Sequence, residues 1–225
     1  MKGWVIPPQE NSHFVAAMEQ VLDVYKRPYN KSRPVVCMDE TPKQLIKEVR
    51  RALPPKPGFE ERVDYEYSRC GVCNVFMINE PLAGKRFTKV TNQRTKKDWA
   101  LLVKYICDKL YPDAEVITLV MDNLSSHSAA ALYETFEPEE AKRIWDRLEF
   151  IFTPKHGSWL NMAEIELNVL TKQCLNRRIE DLQTIKTEVK AWQSNRNNKD
   201  SRIKWQFTTT DARVKLHRLY PSIQS

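Results

Sequence analysis

Glycine is scarce in this chain, five among 225 residues, which excludes collagen-like and glycine-rich low-complexity architectures. Long hydrophobic runs are missing too, since no stretch approaches the roughly 18 apolar residues of a membrane-spanning helix. The opening segment, Met1 to Glu10, lacks the apolar stretch of a secretory signal. Five scattered cysteines (Cys37, Cys70, Cys73, Cys107 and Cys174) are odd in number and unlike a secreted disulfide framework. Reduced thiols in a soluble intracellular protein are the expectation. No internal repeat is visible.

What is present suffices for a folded core: 41% of residues are apolar and 29% charged. The length corresponds to one full domain with attachments. The formal net charge of +7 is unevenly placed. From Asn176 to Ser225 there are eleven Lys and Arg against five Asp and Glu, a net of +6. Such an asymmetry points to a polyanionic partner, and nucleic acid fits best.

Apolar spacings of three and four predict a helix over Ser12 to Lys26. Val35 to Met38 reads as a short strand between prolines, with Lys43 to Arg51 helical or irregular. Asp64 to Ile78 and Lys85 to Val90 read as strands joined by the turn-rich segment Asn79 to Gly84. A helix over Lys96 to Leu110 precedes a strand over Val116 to Met121, and helices follow at Ser128 to Phe136 and Pro138 to Arg147. Glu149 to Thr153 is the last strand. A long helix from near Ser158 past Cys174, then helices at Leu182 to Trp192 and Thr209 to Tyr220, close the chain. Strands interleaved with helices imply an α/β architecture around a mixed sheet.

Two apolar strands run straight into an acid, Asp39 and Asp122, and reactive groups gather at the carboxyl ends of strands in open α/β sheets. A third acid, Glu164, lies on the polar stripe of the following helix; Glu166 is about 200° further round and cannot share its site. Glu40 alternates to the other side of its strand and stays outside. Three carboxylates at one edge make an oxygen-only site for Mg²⁺, and a pair of such ions can drive phosphodiester chemistry.

Three blocks carry a family resemblance: Val36 to Thr41, Val120 to His127 and Thr153 to Glu164. They are similar to the catalytic blocks of bacterial insertion-sequence-630 type transposases, which are related to the mariner elements. The similarity runs from about Trp4 to Ile223, through Val63 to Tyr67 and Trp205 to Thr209. It implies a ribonuclease H-like, five-stranded mixed sheet with helices on both faces and a helical C-terminal extension. It also implies a catalytic and metal-binding triad of Asp39, Asp122 and Glu164, with Mg²⁺, or Mn²⁺ in its place, as two ions. The implied reaction is cleavage and strand transfer of DNA, both element ends and target, by a cytoplasmic, nucleoid-associated protein, with a homodimer as one arrangement. The expected division is an N-terminal helix and linker (1–33), the catalytic domain (34–180) and a basic helical extension (181–225). The family's helix-turn-helix region is not recognisable here, so it is expected to be supplied elsewhere or missing.

Asn123, His127, Lys155, His156, Lys172, Arg177 and Arg178 are candidate DNA contacts. Each also has an ordinary reading: a helix-start or turn residue for His127 and His156, a solvated helix face for the cations. Cys70 and Cys73 have the spacing of half a zinc site, but no second pair follows, and buried structural cysteine is the better reading. Trp99 and Trp145 are expected in the core. Two other functions stay open: a catalytically idle DNA-binding remnant, and a general ribonuclease H-like nuclease.

Overall fold

The computed structural model describes residues 11–50, 53–60, 62, 64–123 and 128–222. Its centre is a five-stranded sheet in the order β3-β2-β1-β4-β5. The strands are β1 (Val35–Glu48), β2 (Tyr67–Glu80), β3 (Lys85–Thr91), β4 (Ile117–Met121) and β5 (Leu148–Phe152). β1, β2 and β3 pair antiparallel, whereas β1–β4 and β4–β5 pair parallel. The parallel joins need crossovers, which the helices between β3 and β5 supply.

Alternation along the strands builds two cores. Val36 and Met38 face one side with Phe76, Ile78, Leu119 and Met121, and α2 (Lys96–Tyr105), α3 (Ala129–Tyr133) and α4 (Pro138–Asp146) cover them. Trp99 is buried in this core, and Trp145 stacks on Phe150 at 4.6 Å. Cys37, Val75, Met77, Val120 and Ile151 face the other side. There they meet α1 (Ser12–Tyr25), α5 (Met162–Leu170), α6 (Leu182–Asn198) and α7 (Thr209–Lys215). Helix starts are capped as sequence chemistry dictates: Asn11 accepts from the Phe14 amide, and Thr95 with Asp98 and Thr208 with Asp211 form capping boxes. No helix among the described residues is long and apolar enough to cross a membrane.

Three expectations need correction. Lys43 to Arg51 is not helical, because β1 continues to Glu48, paired with β2 back to Tyr67. Pro42 is accommodated because β1 there has only β2 as a ladder neighbour, the edge situation a proline tolerates. The ladder shifts register between Leu45 and Ile46, opposite Gly71, whose φ of +115° favours glycine. The long helix after Ser158 is divided: a 3₁₀ turn (Ser158–Leu160), α5, and a π-helical turn (Thr171–Leu175). Cys70 is exposed, because β2 before Cys73 extends beyond the reach of β3; Cys73 is buried, and all five cysteines are free thiols.

α6 also closes the open edge of β3. Gln193 accepts from the Thr88 amide at 2.8 Å; Asn197 accepts from the Arg86 amide and donates to its carbonyl, each at 2.9 Å. Two amide side chains one helical turn apart thus satisfy β3's outward backbone groups.

At the opposite end of the sheet, Arg27 grips Glu149 with two bonds of 2.7 and 3.0 Å, and Thr118 donates to the same carboxylate. The Arg27 fork is the main cause holding this carboxyl down at about 2, from an ordinary 4.5. A depressed folded value means stability present above pH 4.5 and lost as pH falls toward 2. Both side chains are more than a third exposed, so solvent screening limits the contribution to about 1 kcal/mol. Glu149→Gln should therefore be less stable than wild type by that amount at pH 6 and equal to it near pH 2. Urea titrations at the two pH values check this.

Candidate active site

The parallel register of β1 and β4 pairs Val35 with Thr118, Val36 with Leu119 and Cys37 with Val120. Asp39 and Asp122 each stand two residues beyond the last β1–β4 pair, where the two strands part: Asp39 is still within β1, opposite Met77, and Asp122 is just past the end of β4. By alternation Asp39 shares the Cys37 side, the side that α5 covers.

Asp39 Oδ1 accepts the Glu40 amide at 2.8 Å. Burial drives the Asp39 carboxyl up to about 7; the Glu40 amide opposes this, and the charges of Asp122, Glu40 and Glu164 push further upward. The side-chain charges that act most strongly on Asp39 among the described residues are thus those of acids. Glu164 is also raised by burial, against a hydrogen bond to Ser158, and its Oε2 is buried without a hydrogen-bond partner. Glu40 faces Arg94 at 3.7 Å, yet its charge reaches Asp39.

Asn161 links the helix to the strand. Its Oδ1 accepts the Ala163 amide at 3.1 Å, capping α5, and its Nδ2 donates to the Met38 carbonyl at 2.8 Å. The residue before Asp39 is therefore tied to the turn before Glu164. Tyr25 supports the same turn, its hydroxyl donating to the Leu160 carbonyl at 2.7 Å. Losing the cap costs about 1 kcal/mol, and leaving a buried carbonyl unpaired about 1 more. Asn161→Ala should lower stability by about 2 kcal/mol in urea titrations, whereas Asn161→Ser, which keeps a cap but cannot reach Met38, should lose about half of that.

Among the described residues, no three His, Cys, Asp or Glu stand close enough to form a metal shell by themselves. The donor chemistry nevertheless fits a hard cation. The donors are carboxylate oxygens, the strongest side-chain charges on Asp39 among the described residues are other acids, and one Glu164 oxygen is buried and unbonded. Mg²⁺ is usually held by one or two carboxylates, with water and substrate phosphate completing its shell. Glu166 is elsewhere: its carboxylate lies between Arg86 and Arg196, away from the acids.

The candidate DNA contacts scatter. Asn123 and Lys155 are exposed, and His156 is exposed with φ of +64° in the loop before the 3₁₀ turn. Gly157 makes that loop possible, because a Cβ there would lie 2.5 Å from Pro154. His127 lies outside the described residues. Lys172 and Arg177 border an open cavity of about 630 Å³, also lined by Gln173, Asn176 and Asn195, with Arg177 paired to Glu188 at 2.8 Å. Arg178 is engaged within the chain, bonded to Glu48 at 2.6 Å and to the Asp64 carbonyl at 2.8 Å. Sequence reading missed the tie from Asn161 to the Met38 carbonyl and the hold of Arg86 and Arg196 on Glu166, since nothing local distinguishes these residues from an ordinary cap and two surface cations.

A family model described as DDE superfamily endonuclease matches residues 34–186. The chain belongs to that family. Solved structures share its fold: the Mos1 mariner paired end complex with Mn aligns with a TM-score of 0.60 at 15% identity, covering 89% of this chain and 61% of that one. The Mos1 strand transfer complex gives 0.57 at 14% identity, covering 89% and 62%. The mariner Mos1 paired end complex with Mg gives 0.59 at 12% identity, covering 99% and 67%. The five-stranded mixed sheet with helices on both faces is thus the ribonuclease H-like fold. The chain spans about three-fifths of the length of the first of these proteins. No curated protein sequence matches it.

Proposed function

We propose that this chain is the catalytic domain of a transposase, cleaving DNA strands and transferring them to a target, with Asp39, Asp122 and Glu164 as its acid triad. The observation that carries the reading is the convergence of charge: two acids just past the last paired residues of the adjacent parallel strands β1 and β4, and a helix acid whose charge reaches the first of them. The three carboxylates would hold Mg²⁺ or Mn²⁺, as two ions. When bound, the cations supply activation of a water or 3′-hydroxyl and stabilise the leaving oxygen of the phosphodiester. Asp39 must shed its proton to serve as a ligand, so cation affinity should rise as pH passes through about 7. Asn123, Lys155, His156 and Lys172 are exposed and suited to phosphate contacts, which position DNA without reading its sequence. A homodimer acting on element ends, with end recognition supplied by a helix-turn-helix region, completes the reading.

The test is cleavage of duplex DNA carrying paired inverted repeats, beside an RNA–DNA hybrid, with Mg²⁺, Mn²⁺ or chelator. Cation-dependent cutting of the duplex is expected, increasing from pH 6 to pH 8. Cutting of the hybrid alone, or duplex cutting that persists in chelator, would overturn the proposal.

A further inference from the structure

Glu166 lies two residues after Glu164 on α5 and points to the opposite side of the helix. Its side chain is fully buried, as is that of Arg86. Arg86 donates to Glu166 through Nε at 2.8 Å and Nη2 at 3.0 Å; Arg196 donates through Nε and Nη2, each at 3.0 Å. One carboxylate thus receives two guanidinium forks, from β3 and from α6. Arg86 also donates to the Gly84 carbonyl at 2.8 Å and to the Ser201 carbonyl, which ties the β2–β3 turn and the chain beyond α6 into the cluster. That turn and that chain pack tightly, for a Cβ on Gly84 would lie 2.7 Å from Asp200 Oδ1.

A buried ionic triad is a poor route to stability, because apolar residues of the same volume usually serve as well or better. It does offer direction: two planar forks fix where a carboxylate sits more tightly than apolar packing does. α5 is only nine residues long, and successive residues turn by about 100°. Fixing Glu166 on one side therefore fixes the axial rotation of α5, and with it the direction of Glu164 on the other.

We propose that Arg86, Glu166 and Arg196 are positioning residues that hold Glu164 toward Asp39 and Asp122. The inference rests on the acid-triad reading above. Outer residues that orient metal ligands typically contribute 10–100-fold to metal affinity. Arg196 is the site to test, because its removal leaves Glu166 neutralised by Arg86 and its own side chain reaches solvent. Arg196→Met in the full chain should melt within a few degrees of wild type. It should bind Mn²⁺ about tenfold more weakly in titrations followed by electron paramagnetic resonance. Its cleavage kcat should fall while DNA affinity measured in chelator stays within twofold, and Arg196→Lys should restore part of both losses. If Arg196→Met does not fold, Arg196→Gln, which retains a donor toward Glu166, replaces it with the same expectations. Folded Arg196 variants with wild-type Mn²⁺ affinity and wild-type kcat would overturn the proposal. Glu164→Gln serves as the control. If it weakens Mn²⁺ binding and the Arg196 variants do not, only the positioning role fails. If Glu164→Gln binds Mn²⁺ like wild type, the triad reading fails and this inference with it.

Discussion

Asp39→Asn should abolish DNA cleavage and, in the absence of divalent cations, make the protein more stable. The folded Asp39 carboxyl takes up a proton with a pKa of about 7, against 3.8 for an ordinary aspartate. Between those two values the folded state binds more protons than the unfolded state, so stability falls as pH rises from about 4 to about 7 and stays low above it. Asparagine keeps the shape and removes that dependence. The full shift corresponds to about 4 kcal/mol, an upper bound, and roughly half is a sound expectation once local relaxation is allowed for. At pH 8 in chelator the variant should melt about 4–8 °C above wild type, and at pH 4 the two should coincide. Adding Mn²⁺ should raise the wild-type melting temperature and not that of the variant, because a cation bound only to the folded state stabilises it by mass action. Removing a ligand's charge from a transition state stabilised by several kcal/mol should lower cleavage by about 10³-fold or more. Equal melting of the two proteins at both pH values would remove the physical basis of the prediction.

The largest loss of stability without loss of chemistry is expected at Arg147. Its Nη1 donates to the Cys107 carbonyl at 2.8 Å, and its Nη2 reaches the carbonyls of Tyr111 at 2.7 Å, Pro112 at 3.1 Å and Ala114 at 2.8 Å. These carbonyls lie in and just after the π-helical turn Ile106–Leu110 that ends α2, where a cation also complements the helix terminus. Hydrogen bonds to a charged group contribute about 1.5–3 kcal/mol, and several acceptors depend on this one. Arg147→Ala should cost about 3 kcal/mol, which corresponds to a melting temperature lower by roughly 6–12 °C for a domain of this size. Arg147→Lys, a point charge without the planar fork, should recover less than half. The folded fraction that remains should cleave DNA at the wild-type rate, since Arg147 is at the far end of α2 from the acids.

The strand segments leading into Asp39 and Asp122 were legible because each is a short apolar, β-branched run followed by an acid. Periodicity also located α1, α2 and the start of α6. What escaped is tertiary in origin. Thr41-Pro42 reads as a stop, and only the pairing of Glu40 to Glu48 with β2 carries the strand past it. The helix after Ser158 reads as continuous because its apolar stripe continues. The break comes from Asn161, whose side chain is held by the Met38 carbonyl of a strand more than a hundred residues away in sequence. Glu166 could be set apart from Glu164 by helical angle alone, but its two arginine partners come from β3 and α6, and no local spacing announces them.

The pairing of Gln193 and Asn197 with β3 bears on how the protein avoids self-association. An outer strand with unsatisfied amide groups is a template on which another chain can add a strand. Here α6 occupies that position with side-chain amides at Arg86 and Thr88, so the groups a neighbouring strand would use are already bonded. The basic C-terminal fifth therefore does more than carry positive charge. Cutting it away would leave β3 open along an apolar sheet, and the shortened chain would be prone to stack edge to edge into aggregates even where its own core remained intact.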